Sequence, residues 1–264
     1  MILLAKVVVT LVMILLLSAV AEYANPRLAG IFSGYPIGSA IVLYFYGLER
    51  GVDFAAVSAS YNLVGLVPSL AFALVYFFVL RRAPDRHIAV TLLLALGAYA
   101  STALLVGALP LQATGSIMVS ALALLFCSCL VYGRAESVQP PRLPLRLRVL
   151  VFRVLCAATL VISITALAGL VGPRWAGILS GFPLILLPLV VIVHLHLGAA
   201  CARSLLSHFP IGLWSVFCYS LTLVFAYPKF GLQLGTLVGF LVATLALLLL
   251  NLKTLLATRK SRQP

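Results

Sequence analysis

Apolar residues in this chain run in long unbroken blocks, separated by short polar punctuation. A half-buried strand would alternate apolar and polar positions, and a surface helix would carry a single apolar stripe; neither pattern is sustained here. Blocks of about 20 apolar residues match a helix rising 1.5 Å per residue through a hydrocarbon core of roughly 30 Å. Nine membrane-spanning helices are predicted, over 2–20, 29–47, 54–80, 88–109, 113–132, 149–171, 175–197, 205–227 and 231–252. Lys6 and Arg153 fall near the ends of their spans, where a long cationic side chain can snorkel to the interface. Ala19-Val20-Ala21 before Glu22 resembles a leader cleavage site, but only Met1 precedes the apolar run. Without a basic opening segment, span one is expected to be retained.

Composition sharpens this picture. Of 264 residues, 64% are hydrophobic and 9% charged, against about 25% charged in a soluble domain. A soluble globular fold is excluded, and an outer-membrane barrel fails for want of alternation. Net charge is +13, which in a soluble protein would suggest nucleic acid. Here it follows the positive-inside rule, and no nucleic-acid partner is expected. With the N-terminus on one face, that face receives Lys6, Arg50, Arg174 and Lys229, and the other receives the remaining fourteen basic residues. The split predicts an external N-terminus and a cytoplasmic C-terminus. The basic linker 134–148, RAESVQPPRLPLRLR, fits a cytoplasmic loop that fixes topology. Cys127, Cys129, Cys156, Cys201 and Cys218 fit small buried hydrophobes better than a disulfide set.

A repeat organises the chain. Residues 26–36 are PRLAGIFSGYP and residues 173–183 are PRWAGILSGFP, identical at eight of eleven positions with an offset of 147. The same offset matches Gly51 with Gly198 and Gly65 with Gly212, and sets Lys6 against Arg153. Spans one to four (1–110) and six to nine (149–264) then form two four-helix units, joined by span five (111–133) and the linker 134–148. One unpaired crossing makes the second unit enter from the opposite side. The expected fold is therefore an all-α integral membrane protein of two inverted repeats joined by a connector helix. Gly115, Ser116, Ser120 and Ser128 give that connector a small-residue packing face.

The duplicated motif is the candidate site. Gly34 before Pro36, and Gly181 before Pro183, predict kinks or unwound turns in spans two and seven. From Arg27 to Pro36 a helix advances about 13 Å, toward mid-membrane. Freed backbone groups at that depth need protein partners or a water-lined cavity. Ser33, Gly34, Pro36, Ser180, Gly181 and Pro183 are thus candidate substrate contacts, with Arg27 and Arg174 placed to attract an anion from opposite faces. Small-residue packing explains the same glycines equally well. Asn62 in span three is expected to make an interhelical hydrogen bond.

No P-loop, H-E-x-x-H or G-x-S-x-G signature occurs, and five acidic residues make a paired-carboxylate enzyme improbable. No cofactor or metal is expected. His194 and His196, two apart, cannot form a helical i, i+4 metal pair.

Ala29-Gly30, Pro36, Tyr44, Gly47 and Glu49-Arg50-Gly51 resemble the GlpM family of small bacterial inner-membrane proteins. The likeness covers the first unit; the second retains Ala176-Gly177, Pro183 and Gly212-Leu213-Trp214, with His196-Leu197-Gly198 in place of the Glu-Arg-Gly triplet. The resemblance implies a fused, inverted pair of such units in a bacterial inner membrane, and brings no activity with it. Inverted repeats with broken helices are a common plan for secondary transporters. The expected function is transport of a small polar or anionic solute, the alternatives being a non-transporting envelope scaffold or a lipid-headgroup translocator. The expected partners are the bilayer and that ligand, with a second copy of the chain as a further candidate.

Overall fold

The computed structural model describes residues 4, 6–9, 11–12, 26–84, 87–111, 113–131 and 147–260. For Pro26, Arg27, Ala113, Arg153, 147–150 and 251–260 it describes the backbone only. The Ala19-Val20-Ala21 stretch, the linker over 134–146 and the Arg27 side chain lie outside the described residues.

Among the described residues from 26 onward there are helices and no strands. They are α1 (Pro26–Ser33), α2 (Ile37–Arg50), α3 (Val52–Arg82), α4 (Ile88–Ala108), α5 (Ala113–Val131), α6 (Leu147–Ser180) and α7 (Leu186–Lys260). Residues 6–9 and 11–12 are also helical. Among the described residues six stretches are long and apolar enough to cross a membrane: Leu28–Arg50, Val52–Arg82, Ile88–Ala108, Thr114–Val131, Val154–Ser180 and Leu186–Leu250.

Glycine sets the interruptions. Gly172 in α6 and Gly198 and Gly231 in α7 have φ of 74°, 83° and 71°, where a Cβ would be strained. Each is the point at which the chain leaves one helical axis and starts another. Pro173 follows Gly172 directly, and a proline in the first helical turn forfeits a donor that lacks an intrahelical acceptor anyway. Gly51, φ 93°, separates α2 from α3 in the same way.

Burial ranks the helices. Two-thirds of the most apolar stretch of α3 is buried, against about a fifth of that in α4. α3 packs on α4, α5, α6 and α7 and is the central element. The outer helices expose large apolar side chains: Leu104 and Leu105 on α4, Met118 and Phe126 on α5, Leu170 on α6, Leu241 and Leu249 on α7. In water such faces would drive association; against lipid tails they carry no penalty. Two of the four small residues expected on the packing face of α5 are buried. Ser116 and Ser120 are buried, and Ser120 Oγ donates to the Leu63 carbonyl of α3 at 2.6 Å.

Lys6 departs from expectation. It does not snorkel: it is 6% exposed, with Nζ 2.7 Å from Glu49 Oε1 and 2.7 Å from Thr165 Oγ1. Phe45 lies beneath the ammonium, 5.6 Å from it. Sequence distance hid the pairing, because Glu49 and Thr165 reach Lys6 only once α2 and α6 pack together.

Candidate functional site

Both predicted breaks are present. α1 ends at Ser33 and α2 begins at Ile37; α6 ends at Ser180 and α7 begins at Leu186. Each α-helical ladder tightens at its end, with Gly34 N–H donating to Ile31 O (3.1 Å) and Gly181 N–H to Ile178 O (3.2 Å). These are the positions of one residue pair at the 147 offset, and their acceptors form another.

The same correspondence recurs in the packing. A Cβ on Gly34 would lie 2.7 Å from the Gly212 carbonyl carbon, and one on Gly181 would lie 2.6 Å from that of Gly65. A Cβ on Gly65 would strike the Ile178 carbonyl, and one on Gly212 the Ile31 carbonyl. Gly30 sits against Leu205 O, and Gly177 against Ser58 O. Three pairs of contacts are thus related residue by residue at the offset of 147. In each, backbone touches backbone, which only glycine permits.

The two breaks border one cavity of about 20 Å³. Ser33, Gly34, Gly38 and Ser39 line one side and Gly181 and Pro183 the other, while Leu66, Phe209, Leu213 and Val216 close it with apolar surface. That volume holds about one water. It is far below the roughly 300 Å³ at which small-molecule pockets begin. Gly34 and Gly181, just past the ends of α1 and α6, line it together with Gly38 and Ser39 of the first turn of α2, whose N–H groups have no acceptor within their own helix.

Of the candidate residues, Ser33, Gly34, Gly181 and Pro183 line the cavity. Pro36 lies within the first break and its carbonyl accepts from Ala40 N–H at 2.7 Å. Ser180 is fully buried beside the second break, its hydroxyl donating to Gly177 O at 2.7 Å. Ser33 does the same to Gly30 O at 2.7 Å. Arg174 is not at the cavity. Its guanidinium donates to Leu109 O in the α4–α5 turn and lies 5.8 Å from the Tyr61 ring.

Asn62 makes the expected interhelical bonds. Nδ2 donates to Ser180 Oγ at 2.7 Å, and Oδ1 accepts from Ser220 Oγ at 2.6 Å, with Asn62 fully buried. Sequence reasoning missed the rest of this network. Ser39 Oγ donates to Ser180 O at 3.0 Å, Ser69 Oγ to Gly181 O, Tyr46 to Ala176 O at 3.1 Å and Ser58 to Pro173 O at 3.2 Å. The signal was available at the repeat offset, where Ser39, Asn62 and Ser69 face Leu186, Phe209 and Val216.

Among the described residues no group of three His, Cys, Asp or Glu could hold a metal ion. Comparison with protein families, with curated proteins and with solved structures returns no match.

Proposed function

We propose that this chain is a secondary transporter of a small polar or anionic solute in a bacterial inner membrane, built from two inverted four-helix repeats around the paired helix breaks. The observation that carries the reading is that each motif copy packs on the other half of the chain in the same way, Gly34 on Gly212 and Gly181 on Gly65, and that Gly34 and Gly181 line one cavity. Two broken helices whose ends border one cavity supply donors and acceptors at a depth where the bilayer has none. The first-turn N–H groups of Gly38 and Ser39 in α2 suit the acceptor-bearing end of a solute, because a helix start carries positive partial charge.

On this reading the chain crosses nine times. Gly172, Gly198 and Gly231 mark ends of crossings within α6 and α7, and the helical residues 6–9 and 11–12 belong to the first. Glycine-sided contacts between the halves are the surface on which one repeat rocks against the other, and the cavity between the breaks is water-sized. A second reading, a scaffold without transport, is favoured by the small volume of the cavity.

A thermal-shift screen of small polar and anionic solutes on the detergent-purified protein tests the reading, since a ligand of the folded state stabilises by mass action. A hit is then compared with Gly38→Leu. Gly38 lines the cavity, and a Cβ there would meet only the Leu184 side chain, at 3.3 Å. The variant is expected to fold, to lose the solute-induced shift and to lose uptake in proteoliposomes. A solute shift and uptake unchanged in Gly38→Leu would refute the site.

A further inference from the structure

We propose that Tyr35 and Phe182 are two gates on the cavity, one toward each side of the membrane, and that the hydrogen bond from Tyr35 to Thr244 latches the first. The inference deepens the transport reading and rests on it: these are the side chains that move when the centre changes the side to which it opens.

Size comes first. A cavity of about 20 Å³ holds one water, so a solute enters only when part of the lining moves. Leu66, Phe209, Leu213 and Val216 are at least nine-tenths buried and sit inside the long helices α3 and α7. The backbones of those helices are pinned against the motif copies at Gly65 and Gly212. Tyr35 and Phe182 also line the cavity. Unlike that wall, both are only partly buried, and both sit in the turn between one helical run and the next.

The two turns match bond for bond. Tyr35 N–H donates to Phe32 O and Phe182 N–H to Leu179 O, each at 3.0 Å. Ile37 N–H donates to Tyr35 O at 2.8 Å, and Leu184 N–H to Phe182 O at 2.7 Å. Each matched residue is separated from its counterpart by 147. Both rings then cross to the other half of the chain. Tyr35 stacks on Phe240, in the run of α7 after Gly231, with ring centroids 6.1 Å apart. Phe182 meets Tyr99 of α4 edge to face, at 4.9 Å. On the inverted-repeat plan matched positions face opposite sides, so the two rings close opposite entrances.

One gate alone carries a latch. Thr244 Oγ1 gives its hydrogen to Phe240 O at 2.7 Å, so Tyr35 is the donor in its 2.7 Å bond to Thr244 Oγ1. At the offset of 147, Tyr35 corresponds to Phe182 and Thr244 to Gly97, and the second gate has neither hydroxyl. Swinging Tyr35 away leaves its hydroxyl without a partner, whereas moving Phe182 strands no polar group. The latch biases the protein toward opening at Phe182.

The test uses the full chain with its five cysteines replaced and Ser33→Cys introduced, in sealed vesicles. A membrane-impermeant thiol reagent is applied from each face, and the ratio of the two labelling rates is read. Tyr35→Phe should shift that ratio about two- to tenfold toward one face, the factor set by one hydrogen bond. Thr244→Val breaks the same bond from its other end at similar volume and should give the same shift; it carries the test if Tyr35→Phe fails to fold. Phe182→Leu loosens the other gate and should move the ratio the opposite way. Thr236→Val removes the 3.1 Å bond between Tyr227 and Thr236 in the same helical run, away from the cavity, and should leave the ratio unchanged. A ratio unmoved by Tyr35→Phe and Thr244→Val, or moved in the same direction by Phe182→Leu, would overturn the gates; labelling of the Ser33→Cys parent from both faces would then leave the transport reading standing. Labelling of that parent from neither face would remove the transport reading and the gates with it.

Discussion

Replacing Gly34 or Gly181 by alanine adds one methyl group where two backbones already touch. At Gly34 the new Cβ would fall 2.7 Å from both Gly212 C and Leu213 N; at Gly181 it would fall 2.6 Å from Gly65 C and O. Carbon atoms reach their optimal separation at about 3.5–4.0 Å, so α1 and α7, or α6 and α3, must separate by close to an ångström. The opposing atoms are backbone and cannot turn aside as a side chain would. Overpacking of this kind costs about 1–3 kcal/mol. For a chain of this size that is a fall of roughly 2–12 °C in the melting temperature of the detergent-purified protein. Gly97→Ala is the control. Gly97 lies in α4 with nothing within 4 Å of its added Cβ, and alanine there should be neutral or gain up to about 1 kcal/mol of helix propensity. The double variant Gly34→Ala with Gly212→Ala should cost less than the sum of its parts, because one separation of the helices serves both methyl groups. Melting temperatures for Gly34→Ala and Gly181→Ala equal to that of Gly97→Ala would refute the close approach of Gly34 to Gly212 and of Gly181 to Gly65.

Removing Lys6 as Lys6→Met should cost about 1–3 kcal/mol, less than the roughly 3–5 for a fully buried pair because the Glu49 carboxylate is 25% exposed; adding Glu49→Gln should recover part of the loss in thermal melts. Arg174→Ala should lower stability by about 1–2 kcal/mol through the lost bond to Leu109 O, and leave the affinity for any solute unchanged in a binding titration. A reporter fused at the C-terminus should be cytoplasmic and one inserted at 110–113 external; finding both on the same side would refute the odd number of crossings between them.

Much of this architecture was legible because a bilayer demands long apolar runs, and glycine and proline mark where they stop. The restart after Gly172 and the breaks at Gly34–Pro36 and Gly181–Ile185 follow from backbone chemistry local to the sequence. The helices overrun the predicted ends, α2 to Arg50 and α3 to Arg82, because the hydrogen-bond ladder does not stop where apolar side chains do. α2 stops at Gly51, whose φ of 93° ends it. The site was legible only in part. Which serine meets which carbonyl depends on helix rotation, which an all-apolar helix does not encode in its periodicity. Arg174 shows the converse error. Its charge suggested an anion contact, but its reach ends on a carbonyl in the α4–α5 turn.

The central claim is that the paired breaks are a centre exposed in turn to both sides of the membrane. In a chain with Cys127, Cys129, Cys156, Cys201 and Cys218 replaced, a single Ser33→Cys can be challenged with a membrane-impermeant thiol reagent from each face of sealed vesicles. The account predicts labelling from both faces, with the rates shifting in opposite directions when a transported solute is added. Labelling from neither face, with the protein folded and the reagent active on an exposed control cysteine, would contradict it.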